Sequence, residues 1–482
     1  MTTAYRHTIL YLLLALVLLQ LAVTLLTYGF SLYDDEAFWH YIGRNWLRHG
    51  LVPYSGGADN KSPLIFLIFG ISDLLFGVNY WFPRVLGTGV EALGMWYLYR
   101  IAVLMAGRRA GILAVSMYGL ALLWRSTEGR FVSLTETYEV TCMILAVYYF
   151  LLGRGNRDYL ISGSLAGLGF AFRLTGIAGM AAIGLFSFQR GWKAVLYFTG
   201  GLVLCLVILA GAATLAGIHL SDCWQFAIAD NFGGGSFQNR DYPESVTKGF
   251  FHSEMILFYP PVLAYFLMKK KIDILFIWLV AGCLCIWRIG YFSNAHLKDI
   301  LPPLALTAAL SIDRMMDTLR LPFKQGLAVI WICWFPKDTE PIFCVDNVLH
   351  PVIATPQSYC AAPWSPLDNY SRKMLGLWIK ANTGIHDKVY IANYASAILV
   401  YTERLCPSIY FSTNEGDRAK KIFYRQMDAD KPDLLAVPLN NDYETNVSKE
   451  QRDYIRDLTS SWYREDTCMY GYTIYRIQKK RS

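Results

Sequence analysis

Charged residues are scarce in this 482-residue chain: Asp, Glu, Lys and Arg make up 17% of it, whereas a soluble domain carries roughly 25%. Hydrophobic residues make up 54%. Uncharged runs such as residues 9–26 are long enough to enter the hydrocarbon core of a bilayer. This composition excludes a soluble enzyme, a disordered scaffold and a small disulfide-rich protein. It indicates a protein of the membrane.

Sequence signals for several classes of ligand are also missing. No spacing of His and Cys is typical of a metal site, so no metal ligand is predicted, although adjacent carboxylates could hold a divalent cation. The triplet Gly233-Gly234-Gly235 lacks the Lys-Ser/Thr of a phosphate-binding loop. The net charge of +7 lies mostly in short loops beside apolar segments, so nucleic acid is not predicted as a partner. The oligomeric state stays open.

The apolar segments predict eleven transmembrane helices. They are expected at about 8–28, 83–105, 110–124, 137–153, 158–172, 176–189, 194–217, 250–268, 273–291, 300–313 and 324–336. The first lacks the small-residue cleavage site of a signal peptide, so we expect it to be retained. Residues 63–76 are too few, because 14 residues of helix cover about 21 Å of a hydrocarbon core of roughly 30 Å. This segment, which Asp73 interrupts, is predicted to lie at the interface.

The positions of Lys and Arg predict the orientation of these helices. With eleven spans, the basic loops all fall on one side of the membrane, at Arg6, Arg108, Arg154, Arg190, Lys269 and Arg314. The positive-inside rule assigns that side to the cytoplasm. The N-terminus is then cytoplasmic, and residues 337–482 lie outside. Counting 63–76 as a span would break the pattern.

Two domains are predicted: residues 1–336 in the membrane and a small extracytoplasmic α/β domain at 337–482. The second region is more polar, with strands expected at 388–391, 433–437 and 472–477 after a helix near 371–382. It contains an even number of cysteines, Cys344, Cys360, Cys406 and Cys468, and Cys223 lies in another outer loop. We expect disulfides among them in an oxidising compartment, with their connectivity open.

Three consecutive carboxylates, Asp34, Asp35 and Glu36, follow the first predicted span. Like charges this close raise the pKa of at least one of them, which suits a general base. A structural alternative is that they only begin an amphipathic helix, whose dipole favours negative charge at its N-terminus. One carboxylate would suffice for that purpose, so a functional role is favoured.

A second polar group, Asp59-Asn60-Lys61, precedes Pro63. A lysine at the start of a helix is unfavourable for the dipole but can bind an anionic head group. Alternatively, the lysine extends its ammonium from the membrane edge into water. Other outer loops add Glu136, Arg173, His296 and Lys298. Because charge at membrane depth costs energy and is often functional, we predict that these groups converge on one site at the outer face.

The order and spacing of Asp35-Glu36-Ala37, Val52-Pro53-Tyr54 and Asp59 to Leu64 resemble the integral-membrane GT-C glycosyltransferases that use polyprenyl-phosphate sugars. Within that class, the chain resembles the bacterial relatives of protein O-mannosyltransferases and of the aminoarabinose transferase of lipid A, which are similar to glycosyltransferase family 39. Members often have two prolines after the lysine, and Ser62 replaces the first here. Residues 173–176 and 298–303 resemble weaker family features. The resemblance covers about residues 1–320.

The resemblance implies a polytopic helical fold with interfacial helices in the first outer loop. It also implies a sugar donor on undecaprenyl or a similar polyprenyl phosphate in the bacterial inner membrane. The sugar would move, with inversion, to lipid A, O-antigen, another glycan or a protein. Asp35 would be the base, with Asp34 as its competitor and Glu36 and Glu136 as supporting carboxylates. Donor phosphate and substrate binding would involve Lys61, Arg173, Lys298, Asp59, Asn60 and His296.

Two other functions remain open. Eleven spans would also suit a secondary transporter of an anionic solute. Against this function, the charges cluster on the outer side and not at mid-membrane, and no inverted repeat is evident. A polymerase or ligase of lipid-linked oligosaccharides would use the same type of donor. The sequence identifies neither the sugar nor the acceptor.

Overall fold

The structure is a computed structural model. It describes residues 3–26, 32, 34–127, 131–232, 242–251, 254–269, 272–288, 293–336, 368–392, 396–411, 417–439 and 447–478.

A helix lies at each of the eleven segments predicted to span the membrane. These helices are Thr3–Leu26, Trp81–Ala106, Arg108–Ala121, Thr135–Leu152, Asn156–Phe172, Ile177–Arg190, Trp192–Leu215, Tyr259–Lys269, Ile274–Arg288, Leu301–Thr318 and Phe323–Trp334. Within the described residues, the two segments His7–Leu25 and Trp192–Leu215 are long and apolar enough to cross a membrane by themselves. The count of eleven crossings and the orientation of the termini therefore stay predictions.

Contacts divide the chain into two compact units, each assembled from separate stretches. The first unit consists of Met1–Leu25, Arg84–Leu215 and Phe237–Ile342, and the second consists of Leu26–Pro83, Ala216–Ser236 and Phe343–Ser482. The first outer loop therefore groups with the C-terminal region. The domain boundary predicted at residue 336 follows a change in composition, and it stays a prediction.

Glycines allow close helix packing in the first unit. A Cβ atom on Gly163 would lie 1.9 Å from the carbonyl oxygen of Phe198, and one on Gly201 would lie 2.1 Å from that of Leu160. Helices Asn156–Phe172 and Trp192–Leu215 thus approach at small residues, as membrane helices commonly do. As predicted, Asn156–Phe172 and Ile177–Arg190 are two separate helices, and Arg173 between them has an extended backbone.

In the second unit, helices Asp34–His49 and Pro63–Phe76 pack against each other. A Cβ atom on Gly43 would lie 2.5 Å from the backbone nitrogen of Gly70, so the two backbones nearly touch. Asp73, which interrupts the apolar segment, is buried and accepts hydrogen bonds from the Arg48 guanidinium. The helix predicted over 63–76 is confirmed, and its interfacial position stays a prediction.

The C-terminal region forms a four-stranded sheet in the order β1-β2-β4-β3. Its strands are β1 (Val389–Ile391), β2 (Leu434–Pro438), β3 (Tyr463–Met469) and β4 (Tyr472–Ile477). Strand β1 pairs with β2 in parallel, and the other two pairs are antiparallel. The accompanying helices are Asp368–Ala381, Ser396–Thr402, Asp417–Ala429 and Lys449–Trp462. Sequence reasoning predicted three of these strands and missed β3.

The cysteine prediction needs a correction. Cys406 and Cys223 are free thiols, so neither takes part in the expected disulfides. An even number of cysteines does not by itself bring two sulfur atoms together. Cys344 and Cys360 lie outside the described residues.

Candidate active site

The three predicted carboxylates open the helix Asp34–His49, and Arg48 and His49 lie in its last turn. This distribution complements the helix dipole at both ends. Glu36 is fully buried, whereas Asp34 and Asp35 are partly exposed. The two aspartates are therefore the members of the triplet that solvent reaches.

Asp34 forms an ion pair with the C-terminal region. Arg372 Nη1 donates to Asp34 Oδ1 at 2.8 Å, and Ser396 Oγ donates to the Asp34 carbonyl at 2.8 Å. Burial raises the pKa of the Asp34 carboxyl, while the Arg372 charge opposes that rise. The elevated pKa expected for the triplet is thus found at Asp34, but its main cause is burial and not repulsion between like charges.

Residues 396–411 also form hydrogen bonds with the rest of helix Asp34–His49. Arg44 Nη1 donates to the Val400 carbonyl at 2.8 Å, and the Cys406 backbone N–H donates to the Tyr41 hydroxyl at 2.8 Å. These bonds fix the helix from which Asp35 projects.

The loop Asp59-Asn60-Lys61 is tied to the same helix. Trp39 Nε1 donates to Asp59 Oδ2 at 2.9 Å, and Lys61 Nζ donates to Asn60 Oδ1 at 2.7 Å. Burial raises the pKa of the Asp59 carboxyl, and the Lys61 charge opposes this. The structure therefore brings helix Asp34–His49 and the loop Asp59-Asn60-Lys61 together. The contact is made by Trp39, which sequence reasoning did not single out.

In the first unit, Lys298 is buried. Its ammonium donates to the Phe131 carbonyl at 2.8 Å and lies 3.5 Å from Glu91 Oε1. Glu91 also accepts a hydrogen bond from the Thr137 hydroxyl at 3.1 Å. Sequence reasoning missed Glu91, although a carboxylate in the middle of the apolar segment 83–105 was a usable signal.

Glu136 and Arg173 form a buried ion pair in the first unit, with side chains that are 8% and 10% exposed. Thr135 Oγ1 donates to the second carboxylate oxygen of Glu136 at 3.0 Å. Two predicted residues thus meet, because the break after Phe172 places Arg173 beside the first turn of Thr135–Leu152. Such a partner compensates the charge of a buried arginine.

Close to this pair lies a group of polar side chains that sequence reasoning did not include. Glu139, Asp299 and Thr175 have buried side-chain oxygens, and the Asp299 carboxyl lies within hydrogen-bonding reach of both Glu139 and Thr175. Asp299 is within electrostatic reach of Arg173. His296 is buried in the preceding turn, where its Nδ1 faces the Ser293 backbone N–H at 3.4 Å.

The predicted residues therefore form two groups. One contains the acidic triplet and Asp59-Asn60-Lys61, and the other contains Glu136, Arg173, His296 and Lys298. That these groups share one site stays a prediction. Over the described ranges, no three His, Cys, Asp or Glu side chains are arranged to hold a metal ion.

Comparisons with known proteins agree with this architecture. Residues 60–213 match the family model described as dolichyl-phosphate-mannose-protein mannosyltransferase. No curated protein matches the chain in sequence. The structure of ArnT from Cupriavidus metallidurans in the apo state has a TM-score of 0.68 and 13% identity, with 98% of each chain covered. ArnT bound to undecaprenyl phosphate has a TM-score of 0.65, 14% identity and the same coverage.

A more distant likeness extends to the archaeal oligosaccharyltransferase AglB from Archaeoglobus fulgidus, solved with an inhibitory peptide and a dolichol-phosphate. Its TM-score is 0.51 at 12% identity, and the match covers 98% of this chain and 74% of that one. At such identities the likenesses show a common fold. The resemblance to the GT-C glycosyltransferases that the sequence indicates is therefore confirmed, by the family model over residues 60–213 and by the fold over nearly the whole chain.

Proposed function

We propose that this protein transfers a sugar from a polyprenyl-phosphate donor to a cell-envelope acceptor at the outer face of the bacterial inner membrane. The observation that carries the proposal is the bond from Trp39 to Asp59, which holds the helix of Asp35 beside the loop of Lys61. A base and a cation held together suit attack by a hydroxyl and departure of a phosphate. Supporting facts are that ArnT was solved with undecaprenyl phosphate and AglB with a dolichol-phosphate.

In the proposed reaction, an acceptor hydroxyl attacks the anomeric carbon of the donor sugar. Its proton passes to a carboxylate while the bond from the sugar to the phosphate oxygen breaks on the opposite side, so the configuration inverts. The electron pair leaves with the polyprenyl phosphate, whose negative charge the Lys61 ammonium stabilises. Asn60 and Asp59 hold that ammonium and its loop.

We assign the base to Asp35. Asp34 is held by Arg372 at 2.8 Å, so one of its carboxylate oxygens is already engaged in an ion pair. Glu36 is fully buried, so it supports the helix and does not reach an acceptor. Asp35 combines partial exposure with a fixed helix position.

In the other group, we propose that Glu136 and Arg173 act as a supporting ion pair. Lys298 is 1% exposed and lies next to Glu91, which favours a role in holding helices together over a contact with the donor phosphate. The buried His296 similarly favours a role in its turn.

The test of this function is the chemistry of the cell envelope. Mass spectrometry of surface glycans, lipid A and glycoproteins should show one sugar missing in a deletion strain and restored by the wild-type chain. The acceptor class is read from the molecule that loses the sugar. An unchanged sugar inventory, together with a loss of solute uptake, would favour a transporter.

The orientation is tested separately. The proposed topology puts the C-terminal region in the periplasm, so a reporter that is active only there should be active when fused after Ile477. Activity of a cytoplasmic reporter at the same position would contradict the topology.

A further inference from the structure

The segment 220–232 of the second unit is helical but irregular. An α-helical turn, Leu220–Asp222, leads into a π-helix, Cys223–Ala229, and then into a second turn, Asp230–Phe232. π-Helical geometry is rare and often occurs at functional positions. The proposed reaction assigns no role to this segment.

Asn231 on this segment forms two hydrogen bonds with Asn60. Asn60 Nδ2 donates to Asn231 Oδ1 at 3.1 Å, and Asn231 Nδ2 donates to the Asn60 carbonyl at 3.0 Å. Because the amide nitrogen of Asn60 faces Asn231, its amide oxygen is left to accept from Lys61 Nζ at 2.7 Å. Asn231 therefore fixes the orientation of the group that holds the Lys61 ammonium.

A second chain of contacts reaches the backbone of Lys61. The Phe226 ring, in the π-helix, stacks on Tyr54 with ring centroids 5.0 Å apart and an interplanar angle of 4°. The Tyr54 hydroxyl donates to the Lys61 carbonyl at 2.7 Å. Tyr54 has a φ of 72°, a left-handed conformation that is uncommon for a bulky residue and needs support from its surroundings.

The segment is in turn supported by the helix Asp417–Ala429. The Arg418 guanidinium lies 4.7 Å from the centre of the Phe226 ring, and its Nη1 lies 3.2 Å from Asp230 Oδ1. The C-terminal region thus contacts the same segment that contacts the Lys61 loop from two sides.

We propose that segment 220–232 positions Lys61 for the donor phosphate, with Asn231 and Phe226 as its two positioning residues. Neither residue needs to touch the substrate. The inference rests on the proposed role of Lys61, and it adds that the orientation of this ammonium depends on a segment about 170 residues away in sequence.

The first experiment measures binding of a short-chain polyprenyl phosphate to the purified full-length protein. Asn231→Leu should raise the Kd about three- to tenfold, because it removes both bonds to Asn60. In a Lys61→Ala background the same substitution should have no further effect, since coupled residues are not additive. Asn382→Leu is the matched control, because its amide bonds the Trp378 carbonyl, and it should leave the Kd unchanged.

The second experiment follows Lys61 without reference to any ligand. The rate at which a small amine-reactive reagent labels Lys61 should rise in Asn231→Leu, relative to the exposed Lys449 of the same molecule. Phe226→Leu should act in the same direction, and Phe226→Tyr, which keeps the ring stack, should restore the wild-type rate. These variants also serve if Asn231→Leu does not fold.

The two experiments separate the inference from the function on which it rests. Unchanged labelling of Lys61, or additive effects of Asn231→Leu and Lys61→Ala on the Kd, would overturn the positioning role. An unchanged Kd in Lys61→Ala would instead overturn the phosphate-binding role of Lys61, while the labelling rates would still decide the positioning role.

Discussion

The candidate ion pairs of the first unit are more deeply buried than the ion pair at the start of helix Asp34–His49 in the second unit. In the first unit, Lys298 and Glu91 are 1% and 2% exposed, and neither side chain of the Glu136–Arg173 pair exceeds 10%. In the second unit, Asp34 and Arg372 are 21% and 13% exposed. Asp35 and Lys61 are also partly exposed.

Charged residues that look alike in the sequence can therefore have two different roles in the structure. A buried pair contributes little net stability, but removing one partner leaves a charge without compensation and is strongly destabilising. A partly exposed charge on a fixed helix or loop can meet a substrate. Similar positions in the sequence therefore lead to different degrees of burial, and the proposed catalytic roles fall on the partly exposed charges.

The largest expected effect is on activity in the second unit. Asp35→Asn should lower the transfer rate roughly 10²- to 10⁴-fold, because it keeps the shape of the side chain but removes the base. Thermal stability should stay at the wild-type value. Asp457→Asn, on an exposed face of helix Lys449–Trp462, is the control and should retain activity. Near-normal rates in Asp35→Asn, with loss in Asp34→Asn, would move the base to Asp34.

The next effect concerns stability in the first unit. Lys298→Ala should lower the free energy of unfolding by about 3–5 kcal/mol, because it leaves Glu91 buried without its cation. Thermal unfolding of the detergent-solubilised protein measures the loss. The double variant Lys298→Met with Glu91→Gln should recover much of it, since both charges are gone. A stable Lys298→Ala protein with impaired donor binding would instead return Lys298 to the phosphate site.

A smaller effect is expected at the phosphate. Lys61→Ala should weaken use of the donor about ten- to a hundredfold, because a charge-assisted hydrogen bond contributes roughly 1.5–3 kcal/mol. Use of the acceptor should change little, since only the donor carries that phosphate. Lys61→Arg should recover part of the loss. Steady-state kinetics with each substrate varied in turn would show equal losses for both if this assignment is wrong.

The smallest effect depends on pH. Burial raises the pKa of Asp34 in the folded state above its ordinary value of 3.8. The folded state therefore loses stability as the pH rises from this ordinary value through the raised pKa. Arg372 opposes this loss. Arg372→Gln should therefore destabilise the protein by about 1 kcal/mol at pH 7 and by less at acidic pH, as Asp34 becomes protonated. Arg456→Gln, which breaks a more exposed ion pair, should show no such pH dependence in melting curves.

The sequence was sufficient for the elements whose signal is local. Apolar length predicted the helix at each of the eleven segments, and short strand-like segments predicted β1, β2 and β4. Strand β3 was missed because it is a polar strand at the edge of the sheet, with only Tyr463 buried.

The partners in the candidate site depend on contacts that no local pattern contains. Arg372 meets Asp34 across 338 residues of chain, and Asn231 meets Asn60 across 171. Lys298 carried the same sequence signal as Lys61, a lysine near the outer end of an apolar segment, yet it is buried beside Glu91. Only the fold distinguishes the partly exposed Lys61 from the buried Lys298.

The most direct test of the central claim is the fate of the donor lipid. Purified wild-type protein, supplied with a polyprenyl-phosphate sugar and an extract of cell-envelope acceptors, should release free polyprenyl phosphate in step with transfer of the sugar. Asp35→Asn should release almost none. Wild-type protein that binds the lipid but leaves the bond from sugar to phosphate intact, with every candidate acceptor present, would contradict the account.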